Sequence, residues 1–347
     1  MTNETAGPGL DLPVGPADEA ADWIGRTSET RFANEPINAP MIRLYASVLE
    51  DGNPCYWDEG FAERTWGGMP APPGMLLTWK MPPLWTPTDD DHPTPIYGLD
   101  VPLPAEKDML LFIESETTFQ RPMVVGDRLN WQGTILDVSE EKETGLGIGH
   151  FVTSEATFHD GSGDRIAEST STIFRYEQPE GSVGGEAPYA RGRRSVESAS
   201  ESPSGERYRS RSPEEVAVGD SVASFEFPVP YERVIRNVAA TREFVLPGLY
   251  DPEYARRQGN ETIFLNAIGL HGLFDRLATD WAGPEWRVVD RSMRLLGSAV
   301  AGECLVVDGS VAAVEDGRVT IDATVAERDG DPVCDGTVGI ERAPDGG

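Results

Sequence analysis

An α+β fold built from two antiparallel sheets, each curled around its own buried helix, is predicted by three observations. A tract without apolar periodicity divides the chain into two similar parts. Each part opens with helical sequence and closes with a run of strands. One helical stretch is apolar on nearly every face, which demands burial on most faces. At 347 residues the chain is long enough for two domains.

The dividing tract, 178–213, includes "GSVGGEAPYARGRRSVESASESPSGERYRSRS". Its Gly, Ser, Arg and Glu content reads as a flexible linker, leaving a first domain at 20–177 and a second at 214–347. Two pairs of segments echo across it. "YWDEGFAER" from Tyr56 resembles "LYDPEYARR" from Leu249, aligning Asp58 with Asp251. "VVGDRLNWQGTILDV" from Val124 resembles "VAGECLVVDGSVAAV" from Val300, aligning Gly126 with Gly302. Asp58 to Gly126 spans 68 positions and Asp251 to Gly302 spans 51, so the first half carries 17 extra residues. Their natural place is "LWTPTDDDHPTPIYGLDVPLPA" (84–105), too rich in Pro and Asp for an element interior. A loop this long inside a compact domain is usually functional. Trp79, Leu84, Trp85 and Tyr97 either line a roomy pocket there or pack as ordinary core.

"TIFLNAIGLHGLFDRLATDW", Thr262 to Trp281, is the all-round apolar stretch and predicts a helix spanning roughly 30 Å. "WRVVDRSMRLL", "ECLVVDGSVAAV", "RVTIDATVAER" and "PVCDGTVGIER" follow it. Their partial alternation and Gly/Asp turns suit antiparallel strands with one wet face. The first half matches, with a shorter helix "PPGMLLTWKM" and strands "LLFIESETTF", "RLNWQGTILDV", "GHFVTSEATF" and "RIAESTSTIFRY". A long antiparallel sheet around one buried helix is the hotdog architecture, here as tandem hotdog folds.

Fifty-nine acids against 29 bases leave a net charge of -30, and Lys80, Lys107 and Lys142 are the only lysines. An acid-rich, lysine-poor chain with normal apolar runs suits concentrated salt, where repulsion is screened; an acidic face for a basic partner is the alternative. Nucleic acid is excluded as a ligand class because the chain repels phosphates. No apolar run approaches the roughly 20 residues of a membrane span. The N-terminus has neither the basic nor the apolar region of a secretory leader, so a cytoplasmic location is expected. Cys55, Cys304 and Cys334 lie far apart, and His92, His150, His159 and His271 are scattered, so neither a disulfide framework nor a metal site is predicted.

"DGNPCYWDE" (Asp51 to Glu59), with "APPGML" after it, resembles the Asp-x-Asn-Pro-x-His-x-Asp pattern of the MaoC-like acyl-CoA hydratase/dehydratase family. "TREFVLPGLYDPEYARRQGNETIFLNAIGLHGLFDRLATDWAGP" is similar to the small catalytic subunit of the steroid side-chain enoyl-CoA hydratases. The chain thus looks like a fused form of that hydratase pair. The resemblance implies reversible addition of water to a 2-enoyl-CoA, with the acyl-CoA as substrate and no cofactor. It also implies a partner, either a second copy in a homodimer or a separate aldolase or thiolase. An Asp/His pair would hold water and move its proton. Backbone N–H groups at the start of the buried helix, around Asn266 and around Gly74, would stabilise the enolate oxygen or merely pack.

The pattern departs from the family at its most reactive positions. In the first half Asp51, Asn53 and Asp58 match, but Tyr56 stands at the histidine position, and tyrosine is a poor base near neutrality. Asp51 is therefore a hydrogen-bonding acid or a catalyst. In the second half Arg242 matches, Glu243 replaces the aspartate, and Gly248 or Leu249 falls where histidine belongs. Glu243 is read as a single acid/base group, as one member of a relocated pair with His271, or as a capping acid; His271 is otherwise a core histidine. Arg242, Arg256 and Arg257 are candidates for the CoA phosphates or plain surface arginines. Loss of the histidine leaves a second reading open, a non-catalytic acyl-CoA-binding or scaffold protein.

Overall fold

The computed structural model describes residues 12–85, 87, 95–177, 209–328 and 330–343. Short α1 (Ala17–Ala20) and β1 (Arg31–Phe32) precede α2 (Ala39–Leu49). Asn38 starts α2 by accepting the Met41 N–H at 3.1 Å, and Glu50 ends it in the left-handed region at φ 54°. Asp58 likewise starts α3 (Glu59–Trp66), accepting the Phe61 N–H at 2.9 Å. A 3-10 helix (Pro73–Lys80) follows, then β2 (Met109–Phe119), β3 (Asn130–Val138), β4 (Lys142–Glu143), β5 (Ile148–His159) and β6 (Arg165–Glu177). The second half repeats the plan with β7 (Ser221–Pro228), α4 (Tyr231–Thr241), α5 (Pro252–Arg257), α6 (Ala267–Ala282), β8 (Trp286–Leu295), β9 (Cys304–Glu315), β10 (Arg318–Glu327) and β11 (Pro332–Arg342). Asp251 caps α5 by accepting the Glu253 N–H at 2.9 Å, the counterpart of Asp58.

All strand pairs are antiparallel, and the order β1-β3-β5-β6-β2-β8-β11-β10-β9-β7 is a palindrome of the two halves. The seam is β2 against β8, with Glu114 opposite Arg294 and Thr117 opposite Arg291. One sheet therefore runs through both hotdog units; a large apolar core shared by both halves lies against it, with a smaller separate cluster of Met109, Phe174 and Tyr176. Gly126 and Gly302 hold equivalent turn positions at φ 99° and 109°, where a side chain would be strained. Among the described residues no helix is long and apolar enough to cross a membrane.

The eight predicted main strands all form, but three expectations need correction. The helix predicted from Thr262 starts at Ala267. Residues 263–265 lie outside the helix instead, with Leu265 N–H bonded to Ala299 O and Ala301 N–H to Ile263 O, both at 2.9 Å. The β-branched and aromatic residues favour that path, and Asn266 caps the helix behind them. "PPGMLLTWKM" forms a 3-10 helix rather than an α-helix. The residues between it and β2 far outnumber those between α6 and β8, which is where the extra length of the first half resides; of that loop, 86 and 88–94 lie outside the described residues. In the predicted linker, 178–208 also lie outside them, but Arg211 is docked. Its guanidinium stacks 4.7 Å from the Trp281 ring and its carbonyl accepts the Trp286 indole N–H at 3.0 Å.

The two central rods touch. A Cβ on Gly74 would lie 2.9 Å from Gly272 N, and one on Gly272 would lie 2.2 Å from Leu49 Cδ1 and 2.3 Å from the Tyr45 hydroxyl. That hydroxyl donates to Ile268 O at 2.7 Å. In an open helix Gly→Ala gains roughly 1 kcal/mol; here the clash reverses the sign. Gly272→Ala is expected to destabilise the protein by about 1–3 kcal/mol, measured by urea unfolding.

Candidate active site

The second-half site is built where α4 ends and α6 begins. Arg242 caps α4 in the left-handed region at φ 58°, which turns the chain so that Glu243 points inward and is only 7% exposed. Asn266 ties the two helices together. Its Oδ1 accepts the Gly269 N–H at 2.8 Å and the Asn237 amide at 2.6 Å, and its Nδ2 donates to Thr241 Oγ1 at 2.8 Å. Burial pushes the Glu243 carboxyl up to about 8, against a smaller opposing pull from the Asn266 amide. Glu243 Oε2 is buried with no hydrogen-bond partner. The first-turn N–H groups of Ala267 and Ile268 have no acceptor among the described residues, so the positive end of the α6 dipole faces this corner.

The second half has no base at the histidine position. The 3-10 helix Pro247–Leu249 corresponds to Pro54–Tyr56 of the first half, which puts Leu249 opposite Tyr56; the loop before it is one residue longer. Leu249 is buried and apolar. Gly248 is also buried, with the Gln258 side chain packed against it.

Glu243 and His271 are not joined. His271 Nε2 lies 3.0 Å from Ser115 Oγ, and its ring meets Phe112 edge-on at 6.2 Å. Burial and then the Arg291 charge drive its pKa well below the ordinary histidine value. No hydrogen bond links it to Glu243, and neither group acts on the titration of the other. Five residues beyond Asn266, it projects from a different face of α6, so the relocated pair is replaced by a neutral core histidine.

The first-half residues form a different kind of site. Asp51 Oδ1 accepts the Asn53 N–H at 2.9 Å, and its carbonyl accepts the Trp57 indole N–H at 2.8 Å. Asn53 Oδ1 accepts the Cys55 N–H at 3.0 Å. These bonds shape the turn. Tyr56 is deeply buried; burial, then the Asp51 charge, raises its pKa well above the ordinary value, so it cannot serve as a base. Asn53 and Tyr56 wall a cleft of about 500 Å³, open solvent at its mouth included, completed by Trp66, Phe119 and Trp286. Gly74 is not in that wall. Its N–H is turned to Asp275, whose carboxyl it helps hold down, so it is not free to receive an enolate.

Arg242 pairs with Glu35 at 3.5 Å and walls an open groove of about 970 Å³ between α2 and α4. Phe244 is in the same wall, so the residues on both sides of Glu243 reach the groove, whereas Glu243 is not part of that wall. Leu84 and Trp85 lie on this groove, 75% and 78% exposed. Trp79 is core, and Tyr97 packs on Gly133, so these four residues do not share one pocket. Arg257 pairs with Asp108 at 3.2 Å. Asn237 and Gln258 were not singled out in the sequence: nothing in the spacing of Asn237, 29 positions before Asn266, or of Gln258 marks either as part of the site. Among the described residues no group of three or more His, Cys, Asp or Glu is arranged to hold a metal.

Residues 22–169 match the family described as FAS1-like, dehydratase domain region. The chain is 33% identical over 160 residues to a Thermomonospora curvata protein named "Probable enoyl-CoA hydratase alpha subunit", covering 44% of this chain and 50% of that one. It is 34% identical over 88 residues to the 3-oxo-4,17-pregnadiene-20-carboxyl-CoA hydratase beta subunit of Mycobacterium tuberculosis, covering 25% of this chain and 67% of that one. The chain thus spans about half the length of the alpha subunits it matches. A solved structure titled MaoC-like dehydratase superposes with TM-score 0.68 at 17% identity, covering 93% of this chain and 99% of that one, which shows the shared fold. Two hotdog units on one sheet, the dehydratase-region match and the likeness to hydratase subunits of both kinds lead to one conclusion: the chain belongs to the MaoC-like dehydratase family.

Proposed function

We propose that the protein catalyses reversible addition of water to a 2-enoyl-CoA ester, with Glu243 as the single acid/base group. The observation that carries this reading is the buried, unpartnered Glu243 Oε2 beside the unpaired Ala267 and Ile268 N–H groups at the start of α6. Ionised Glu243 takes a proton from water as the hydroxyl adds to the β-carbon, then delivers it to the α-carbon. The Ala267 and Ile268 N–H groups receive the thioester oxygen as it gains enolate charge. No cofactor is called for; CoA is part of the substrate. The groove beside Arg242 and Phe244 gives room for a bulky acyl or pantetheine portion.

The likeness to both an alpha and a beta hydratase subunit supports reading 20–177 and 214–347 as a fused pair. The same proposal places the protein in a salt-rich cytoplasm, acting as a homodimer or with a separate aldolase or thiolase. A second reading, acyl-CoA binding without turnover, is favoured by Tyr56 and Leu249 at the histidine positions. In high salt, loss of enoyl absorbance is expected with crotonyl-CoA or with a bulkier cinnamoyl-CoA. Thermal stabilisation by these esters without turnover favours the second reading, and neither response removes both.

A further inference from the structure

Gly248 has no side chain for a spatial reason. A Cβ there would lie 1.9 Å from Gln258 Oε1 and 3.3 Å from Phe264 Cε1. Its φ is not in the left-handed region, so glycine is required here for close approach rather than for backbone conformation. The space beside the family's histidine position is therefore filled by the Gln258 amide. That amide is held from the other half of the molecule: Nε2 donates to Leu110 O at 2.8 Å, which fixes the direction of the carbonyl oxygen. Gln258 is 7% exposed, and its Oε1 has no hydrogen-bond partner. A buried amide oxygen left unpaired is costly. Glu243 and Gly248 are the two ends of one six-residue stretch, and Phe264 and Asn266 contact those same two ends. Two orphaned, deeply buried oxygens, on Glu243 and Gln258, thus flank the same short loop.

We propose that Gln258 is a positioning residue of this site: its amide oxygen accepts a hydrogen bond from the water, or from the 3-hydroxyl of the product, that exchanges its proton with Glu243. This rests on the hydratase reading. Water gives one proton to the Glu243 carboxylate, and its oxygen lone pair forms the C–O bond at the β-carbon. The double-bond electrons move into the thioester as an enolate. The α-carbon then takes the proton from Glu243, and the carboxylate is restored. Gln258 keeps both of its protons throughout and serves only as acceptor. In this arrangement a neutral amide orients water, and the proton transfers fall to Glu243 alone.

The test compares the full-length protein with Gln258→Met, which keeps length but removes the acceptor, and with Gln258→Glu, which keeps an acceptor. For crotonyl-CoA hydration, Gln258→Met is expected to lower kcat about 30- to 100-fold with KM changed less than about threefold. Gln258→Glu is expected to retain more of the rate, with its rising pH limb moved to higher pH, because a second buried carboxylate opposes ionisation of Glu243. Gly248→Ala, which pushes Gln258 aside, is expected to lose kcat to a similar degree and serves if Gln258→Met fails to fold. Binding supplies a readout independent of turnover. 3-Hydroxybutyryl-CoA should bind Gln258→Met about tenfold more weakly than wild type, while butyryl-CoA, which lacks the hydroxyl, binds unchanged. Wild-type kcat in a folded Gln258→Met, or equal weakening of both ligands, overturns the assignment. If the wild type turns over no ester, the hydratase reading fails, and the ligand pair still decides the role of Gln258.

Discussion

Glu243→Gln is expected to lower crotonyl-CoA hydration by about 10³-fold or more and, at pH 9, to raise the melting temperature by about 5 °C. Both effects follow from one carboxyl. The side chain is buried, its Oε2 has no partner, and burial pushes its pKa up to about 8. In the unfolded chain it titrates near about 4.3. Between those values the folded state binds the extra proton, so stability falls as pH rises from the unfolded value through about 8. Glutamine has the same shape and no charge to desolvate. Its advantage should vanish near pH 4 and reach its full size, on the order of 5 kcal/mol, above pH 8. Activity runs the other way. Both directions of the reaction start from the ionised carboxylate, so kcat/KM of the wild type should climb with pH along a limb centred near 8. Melting curves at pH 4 and pH 9, with a pH–rate profile, check the pair of claims. A melting-temperature gain that is the same at both pH values would remove the buried carboxyl from the explanation.

Arg291→Met is expected to destabilise the fold by about 3–5 kcal/mol. Arg291 Nη1 lies 2.6 Å from Asp275 Oδ1, with side chains only 2% and 5% exposed. Burial raises the Asp275 carboxyl, and the Arg291 charge opposes it most strongly. Asp275 stands on α6 and Arg291 on β8, opposite Thr117 of β2, so the pair binds the central helix to the seam between the halves. Without the guanidinium, Asp275 is left as an uncompensated charge in the core. The loss should shrink at low pH, where Asp275 can take a proton. A double variant, Asp275→Leu with Arg291→Met, should recover most of the stability, because no buried charge remains. Urea unfolding of the two single variants and the double variant measures this. A double variant no more stable than Arg291→Met would show that packing of the long side chain, not charge, is what matters.

The predictions at Glu243 and Gln258 differ in how far they could be read from the chain. Glu243 was picked out by its motif position, where it replaces the family's aspartate; that α4 ends at Thr241 and Arg242 turns the chain before it came from the structure. Asn266 lay inside the helix predicted from Thr262, and only the family resemblance pointed to the N–H groups around it; the structure moves 263–265 out of the helix and makes Asn266 its cap. His271 misled because a helix places residues by angle as well as by distance, and the sequence cannot say which neighbouring strand faces that angle. Ser115 and Arg291, which occupy and neutralise it, come from β2 and β8.

Period, turn residues and repeated segments are local properties, so the chain alone determined the tandem hotdog plan and the eight main strands, and aligned Asp58 with Asp251, which the structure shows capping equivalent helices. Only the tertiary structure decided what each buried polar group meets. Gly248 is a gap on paper and a filled space in the fold, because Gln258, held by Leu110 O from the other half, moves into it. Gly74 looked like an enolate donor until Asp275 claimed its N–H. Partners brought together across more than a hundred residues leave no spacing to read, and a low-dielectric interior makes those partners, rather than the residue type, set charge and reactivity.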